Sequence, residues 1–302
     1  MSNAIFERTL RSAQKANWRI EDVLKPDDRL DFSRPFLPES LARVETAGSL
    51  SRDERRTLNQ IRGHAYLCIF GVVEEFILPF VLDHVRAEAA LDPWRTQALL
   101  QFAGEETKHI QLFRRFRSAF ESGFGRSCGV IGPPQAIAEH VLSHDPLGVA
   151  LAILHIEWMT QRHYLDSVQR DTRLDPLFQS LLRHHWMEEA QHARLDALMV
   201  EALAATRDEQ GIARGVDAYL SIGAFLDEGL QQQVELDLDA LETACGRKLG
   251  AEERGELRAA QHQANRWTYL GSGMSHPEFL ATLERLSPAQ RKRIEGVAPV
   301  FS

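Results

Sequence analysis

Cysteine is scarce in this sequence of 302 residues. The three cysteines, Cys68, Cys128 and Cys245, are odd in number and far apart. This spacing excludes a disulfide framework and matches no zinc motif. We expect each thiol to be a small buried hydrophobe rather than a reactive group.

Long hydrophobic runs and excess positive charge are missing as well. No 18 consecutive apolar residues occur, and the first residues lack the apolar core of a secretion signal. We therefore predict no membrane span and a cytoplasmic protein. The net charge is −8, whereas nucleic-acid binders are typically basic, so no nucleic-acid partner is expected.

Strand signals are nearly absent, because neither a sustained apolar alternation nor an Asn-Gly turn occurs. Residues 1–50 look irregular, with short helical pieces, and a single helical domain is predicted over 51–302. Its core bundle covers about 51–205 and a helical C-terminal extension covers 206–302. Long helices are predicted near 51–88, 93–121, 146–170, 176–205 and 211–246, with shorter ones within 251–295.

The connections between these helices predict their arrangement. Asp92-Pro93 and Asp175-Pro176 each combine an N-cap with proline at the first helical position. Short connections make antiparallel neighbours, and the glycine- and proline-rich segment 123–134 suits a long crossover. Two hairpins joined by one crossover predict an all-α fold, a ferritin-like four-helix bundle with additional C-terminal helices.

An internal repeat links the two hairpins. LDPWRTQALLQFAGEETKH begins at Leu91 and LDPLFQSLLRHHWMEEAQH begins at Leu174, an offset of 83. The same offset also relates two glutamates one helix earlier. The matched pairs are Asp92 with Asp175, Glu106 with Glu189, His109 with His192, and Glu74 with Glu157.

The repeat predicts a shared site inside the bundle. Glu106 and His109 are three residues apart and share a helix face, as do Glu189 and His192. Antiparallel packing brings all four glutamates to a similar depth, roughly 20 Å from the turns at about 1.5 Å per residue. One Glu from each of two helices and Glu-x-x-His from each of the others is the di-iron or di-manganese carboxylate arrangement.

The chemistry of these residue types agrees with two metal ions. Carboxylates bridge divalent cations, whereas the same groups buried without metal would carry a heavy cost. Two iron ions are expected, and manganese, which shares these ligands, stays open. Glu75 is the alternative to Glu74 as the ligand of the first helix. Glu105 and Glu188 are expected to point elsewhere.

One histidine has no counterpart in the repeat. His185 lies on the same helix face as Glu189 and His192, and its matched residue, Phe102, cannot bind metal. His185 is therefore either a seventh ligand or a packed histidine beside the ligands. His184 points about 100° away and is expected at the surface or at a helix contact.

Four further residues near these motifs receive secondary roles. His155 and His163 are expected to be structural. Tyr164 shares the face of Glu157 and is expected to hydrogen-bond a ligand. Asp196, four residues after His192, is expected to orient one.

With these motifs and the unmatched histidine, the sequence resembles the non-haem di-iron arylamine N-oxygenases of the p-aminobenzoate N-oxygenase type. The third histidine, as in His185-x-x-x-Glu189-x-x-His192, is the hallmark of that family. The resemblance covers about 60–250. It implies metal ligands at Glu74, Glu106, His109, Glu157, His185, Glu189 and His192.

The resemblance also implies an enzyme, a di-iron dioxygen-dependent oxygenase that oxygenates a small organic substrate, with N-oxygenation of an amine favoured over C-hydroxylation. Such an enzyme needs an electron donor. The alternative is a ferritin-like iron-handling protein, a ferroxidase or peroxide scavenger. The apolar segment 218–226 is a candidate wall of a substrate pocket, and a homodimer stays open.

Overall fold

The computed structural model describes residues 2–88 and 92–302, and its helices are named here in chain order. Two turns of π-helix, His163–Val168 and Trp267–Gly271, and a final 3₁₀ turn, Ala298–Phe301, complete the structure. The helices are α1 Ser2–Ala16, α2 Ile20–Val23, α3 Glu39–Ala42, α4 Arg52–Glu88, α5 Pro93–Phe124, α6 Pro134–Leu142, α7 Pro146–Arg162, α8 Pro176–Ala204, α9 Glu209–Cys245, α10 Ala251–Arg266, α11 Ser272–Met274, α12 Pro277–Leu286 and α13 Pro288–Val297.

Four of these helices form the bundle. Helix α4 packs most extensively against α5, and α7 packs against α8. The crossover between the two hairpins contains α6, and the third helix continues beyond Arg162 as a π-helical turn. The described residues contain no strand. The predicted all-α four-helix bundle with additional C-terminal helices is therefore confirmed.

The predicted caps begin the second and fourth bundle helices. The Asp92 carboxylate accepts from the backbone N–H groups of Trp94 and Arg95. The Asp175 carboxylate accepts from the backbone N–H of Phe178 at 2.7 Å. Each cap satisfies N–H groups that have no partner inside the helix, and the proline behind it presets the helical φ.

The N-terminal segment lies against the bundle. Helix α1 contacts α5 and α8, and Phe6, Leu10 and Trp18 are buried there. The backbone N–H of Asp31 donates to Asp175, which ties this segment to the start of α8. The division of the chain into residues 1–50, a core bundle and an extension stays a prediction.

The first C-terminal helix, α9, packs closely on α7. A Cβ added at Gly148 would lie 2.5 Å from the Cβ of Ala218, and one added at Gly215 would lie 2.6 Å from Leu147. Because glycine has no side chain, Gly148 and Gly215 allow the two helices to approach each other closely. This contact holds α9 against the helix that carries Glu157.

Helix α4 is long and apolar enough to cross a membrane, judged by length and composition over Arg52–Arg86. The prediction of no span depended on consecutive apolar residues and did not recognise this stretch. In the structure 72% of its most apolar window is buried, as in the core helix of a bundle.

All three cysteines are free. Cys68 is buried, as expected, whereas Cys128 and Cys245 are half-buried. Burial raises the pKa of Cys68 and of Cys128 to about 12, so both are neutral thiols near pH 7.

Candidate metal centre

Six of the seven residues singled out from the sequence bring their ligand atoms together in the bundle, and the seventh, Glu157, lies beside Glu189. One comes from α4, two from α5, one from α7 and three from α8. Each is at most 2% exposed. They are Glu74, Glu106, His109, Glu157, His185, Glu189 and His192.

Glu189 lies at the centre of this cluster. Its Oε1 is 2.5 Å from Nε2 of His185 and 3.2 Å from Nδ1 of His109. Its Oε2 is 2.8 Å from Nδ1 of His192, which is also 2.8 Å from Oε1 of Glu106. One carboxylate therefore reaches all three histidines.

The ligand-type atoms form two overlapping groups, in each of which every atom lies within 4.8 Å of the others. His109 and Glu189 belong to both groups. One group adds Glu74 and His185, and the other adds Glu106 and His192. Two neighbouring positions are thus surrounded by carboxylate oxygens and imidazole nitrogens, the donors that iron and manganese accept.

Many of these buried atoms have no hydrogen-bond partner among the described residues. Five carboxylate oxygens are in this state: Oε2 of Glu74, both oxygens of Glu106, Oε2 of Glu157 and Oε1 of Glu189. Nδ1 of His109 is near two carboxylates but lacks hydrogen-bond geometry. Buried polar atoms are normally paired, so this concentration fits residues arranged around cations.

The ionisation of the cluster points the same way. Burial and neighbouring carboxylates raise the pKa of Glu74 and of Glu157. Burial alone would lower the pKa of His109, but the charges of Glu189 and Glu106 outweigh it and raise that pKa to about 10. Without metal, these residues hold protons that neutralise crowded carboxylates, and divalent cations can replace such protons.

The structure separates the two neighbouring glutamates of α4. Glu74 is 2% exposed and its Oε1 lies 3.2 Å from His185. Glu75 accepts a hydrogen bond from Arg114, a surface arginine of α5. Only Glu74 therefore faces the cluster, the geometry that the repeat favoured.

Glu105 and Glu188 are expected from the sequence to point elsewhere than the ligands, and neither belongs to the two groups of ligand atoms, but each contacts a histidine of the cluster from outside. Oε2 of Glu105 lies 2.9 Å from Nε2 of His192, and Oε2 of Glu188 lies 2.9 Å from Nε2 of His109. Each carboxylate accepts from the histidine of the opposite motif, so Nδ1 of each ring is turned toward the cluster. Such hydrogen bonds fix the tautomer and orientation of metal-binding histidines.

The orienting role expected of Asp196 therefore belongs to Glu105. Asp196 is buried four residues beyond His192, and neither of its oxygens has a hydrogen-bond partner in the described parts of the chain. Burial raises its pKa well above the usual range. Tyr164 stacks on Trp186, with ring centroids 4.4 Å apart, and no described hydrogen bond joins it to a predicted ligand.

The other histidines of α7 and α8 have structural contacts. His155 is hydrogen-bonded to Tyr219 at 2.6 Å, and His163 contacts Tyr66 and a serine. His184 bonds the Ser180 carbonyl through Nδ1 and meets the edge of the Trp18 ring. It therefore lies half-buried where α8 meets the N-terminal segment.

Aromatic rings surround the three clustered histidines. Phe70 and Phe113 meet His185 edge-on, and Phe102 stacks on His192 at 4.0 Å. These rings exclude water from one side of the His185 and His192 imidazoles. Trp158 and Trp186 stack on His276 and Tyr164.

The segment 218–226 lines a small apolar cavity between α7 and α9. Its wall includes Tyr219, Ile222 and Leu226, together with Ile156, which precedes Glu157. The cavity has a volume of 20 Å³, room for about one water molecule. An aromatic substrate would fit only if these side chains moved.

Sequence reasoning did not identify Trp18, whose ring stacks on His109 with centroids 6.1 Å apart. No local signal connects it with a motif about 90 residues later. The outer carboxylates were detectable, because the same offset of 83 that pairs the ligands also pairs Glu105 with Glu188.

Solved structures that match the chain include R2-like ligand-binding oxidases. A variant with a Mn/Fe cofactor is 14% identical over 87% of this chain and 92% of its own, with a TM-score of 0.48. Another variant, with a Fe/Fe cofactor, is 13% identical over 87% of this chain and 92% of its own, with a TM-score of 0.45. No curated protein sequence matches the chain.

A family model described as p-aminobenzoate N-oxygenase AurF matches residues 2–217. The match spans both Glu-Glu-x-x-His motifs and the histidine that has no counterpart in the repeat. It also includes the first 50 residues, which the motifs alone could not assign. The predicted dioxygen-dependent oxidoreductase is thereby confirmed, and the chain belongs to the p-aminobenzoate N-oxygenase family.

Proposed function

We propose that this protein is a di-iron oxygenase that uses dioxygen and external electrons to oxygenate the nitrogen of a small amine. The observation that carries the proposal is the convergence of four carboxylates and three histidines, with six of their buried atoms lacking a hydrogen-bond partner. Membership of the N-oxygenase family supports the amine as the substrate class.

The positions of the side chains suggest how they divide between two ions. Glu106 and Glu189 lie close to the histidine nitrogens, and both would help to hold the two ions. Glu74 and His185, together with His109, which lies within reach of both positions, would hold one ion on what is named here the His109 side. His192, together with Glu157 beside Glu189, would hold the other on the His192 side. When bound, two iron ions supply the activation of dioxygen.

The protein around the ions has three tasks. The outer carboxylates Glu105 and Glu188 hold the two imidazoles in the orientation that binds metal. Phe70, Phe102 and Phe113 pack against the histidines and keep water away from them. The substrate is expected beside α7 at the small apolar cavity, whose side chains would have to move to admit it.

A turnover experiment tests this proposal. The full chain is loaded with ferrous iron without oxygen, its metal content is measured, and a panel of aromatic and aliphatic amines is then added with a reductant and ¹⁸O₂. We expect close to two irons per chain and ¹⁸O on the nitrogen of at least one amine. Bound iron that is oxidised without any labelled organic product would indicate iron handling instead.

The unmatched histidine provides a sharper version of this test. His185→Phe copies the residue that the repeat carries at the matched position, Phe102. We expect it to lower amine oxygenation at least 100-fold while slow ferrous oxidation persists. His184→Phe, one position earlier, is the matched control and should retain the product. Unaltered oxygenation by His185→Phe would contradict a role for His185 in the metal centre.

A further inference from the structure

The two outer carboxylates occupy matched places and make matched bonds, but their remaining partners differ. Oε1 of Glu105 accepts from the neutral amide of Gln101 at 2.8 Å. Oε1 of Glu188 accepts from the ammonium group of Lys108 at 2.5 Å. One series of hydrogen bonds therefore links His192 through Glu105 to a neutral amide. The other links His109 through Glu188 to a cation.

The repeat shows that this difference is built into the sequence at both places. An offset of 83 relates Lys108 to Gln191 and Gln101 to His184. Neither outer partner is therefore copied in the other hairpin. The glutamates that they contact are copied, so the repeat keeps the carboxylates and changes the charge behind them.

Lys108 is held in place by the N-terminal segment. Its Nζ donates to the backbone carbonyl of Trp18 and lies 4.0 Å from the centre of the Trp18 ring. The lysine side chain is 17% exposed, and Glu188 is fully buried. The ion pair is therefore shielded from solvent ions, and its effect on nearby charges is larger than that of a surface pair.

We propose that Lys108 makes the two metal positions unequal, so that a divalent ion binds the His192 side first and the His109 side second. A carboxylate that accepts from an imidazole N–H makes that imidazole a stronger ligand. Lys108 draws the charge of Glu188 toward itself and adds a positive charge beside His109. Gln101 leaves the charge of Glu105 intact. Lys108 is thus a positioning residue that acts through Glu188.

This inference rests on the metal centre of the proposed function, and a binding measurement separates the two. The metal-free full chain is titrated with Mn²⁺ in a calorimeter. We expect two binding events whose dissociation constants differ by at least tenfold, because outer partners of metal ligands change affinity by about 10–100-fold. No binding by the wild-type chain would overturn the metal centre and this inference together.

Two substitutions exchange the charge behind the carboxylates. Lys108→Gln installs the residue that the other hairpin carries at the matched position, Gln191. It should tighten the weaker site, so that the ratio of the two dissociation constants falls about tenfold. Gln101→Lys, at a partly exposed position, should loosen the tighter site and also reduce the ratio. Lys108→Arg keeps the charge and should keep the wild-type ratio.

Two results would overturn the role of Lys108 alone. One is a wild-type chain whose two sites have equal affinity. The other is a ratio that stays unchanged in both Lys108→Gln and Gln101→Lys. Circular dichroism of each metal-free variant identifies loss of fold. If Lys108→Gln does not fold, Gln101→Lys still tests the proposal, because it leaves the contact between Lys108 and Trp18 in place.

Discussion

Adjacent glutamates in each motif perform different tasks because of helix geometry. Successive residues differ by about 100° around a helix. Glu106 therefore points into the cluster of ligands, while Glu105 reaches the histidine of the opposite motif. The same division holds for Glu189 and Glu188. A Glu-Glu-x-x-His motif thus turns two candidate ligands into the cluster and offers one hydrogen-bond acceptor to the histidine across the bundle.

His155 is a buried histidine held in its neutral form. The Tyr219 hydroxyl donates to Nδ1, which leaves Nε2–H to donate to the Tyr269 carbonyl. Burial lowers the pKa of His155 from 6.5 to about 4. A group with a lowered folded-state pKa stabilises the fold above its unfolded pKa. That contribution is lost as pH falls from 6.5 toward 4.

We predict that acid destabilises the metal-free protein across this window and that His155→Gln flattens the dependence. The shift of His155 corresponds to at most about 3 kcal/mol of unfolding free energy. Urea unfolding at pH 7.5 and pH 4.5 measures it. His140→Gln, at an exposed position, leaves His155 in place and should keep the wild-type steepness. An equally steep loss in His155→Gln would show that other groups account for it.

At the scale of the helix, the repeat offers a matched pair of caps in different surroundings. Asp92 caps α5 from a partly exposed position. Asp175 caps α8 while 1% exposed, and it also accepts from the backbone N–H of Asp31. The second cap therefore stabilises both a helix and the N-terminal segment that covers His109.

We predict that Asp175→Ala costs more stability than Asp92→Ala. Loss of an N-cap costs about 1 kcal/mol. Asp175→Ala also removes the hydrogen bond that the backbone N–H of Asp31 donates to Asp175, a further loss of about 1 kcal/mol. Urea unfolding of the two metal-free variants provides the comparison. Equal losses would mean that the link from Asp175 to the N-terminal segment contributes nothing measurable.

At the scale of the whole molecule, crowded buried carboxylates make the metal-free bundle dependent on protons. Four helices each contribute at least one acid to one site, and their mutual repulsion opposes packing of the helices. Divalent ions that bind only the folded bundle offset this repulsion. Metal binding and stability of the bundle are therefore coupled.

We predict that Mn²⁺ or anaerobic Fe²⁺ raises the thermal midpoint of the full chain. Free metal at a hundredfold excess over the dissociation constant adds about 2.7 kcal/mol for one site. Differential scanning fluorimetry with and without a chelator measures the shift. The double variant Glu106→Ala/Glu189→Ala, which lacks both central carboxylates, should show none. A shift of equal size in that variant would place the stabilising metal elsewhere.

Much of the fold was accessible from periodicity. The five long helices begin and end within a few residues of the predicted bounds, except that the third changes to π-helix after Arg162. Apolar spacing, Asp-Pro starts and a glycine-rich crossover are local signals, and they determine helices and hairpins directly. The described part of the first 50 residues was less predictable, because α1 is stabilised by contact with α5 and α8.

The sequence by itself determined most of the residues that converge, since an offset of 83 and three-residue spacing fix the depth and the helix face of Glu106, Glu189 and their histidines. The choice between Glu74 and Glu75 was left to the structure. Only the tertiary structure decided what lies behind the ligands. Helical spacing tells which way Glu188 points, but not that it meets His109, Lys108 and the segment around Trp18. Those contacts depend on distances between helices, which packing of the whole bundle sets.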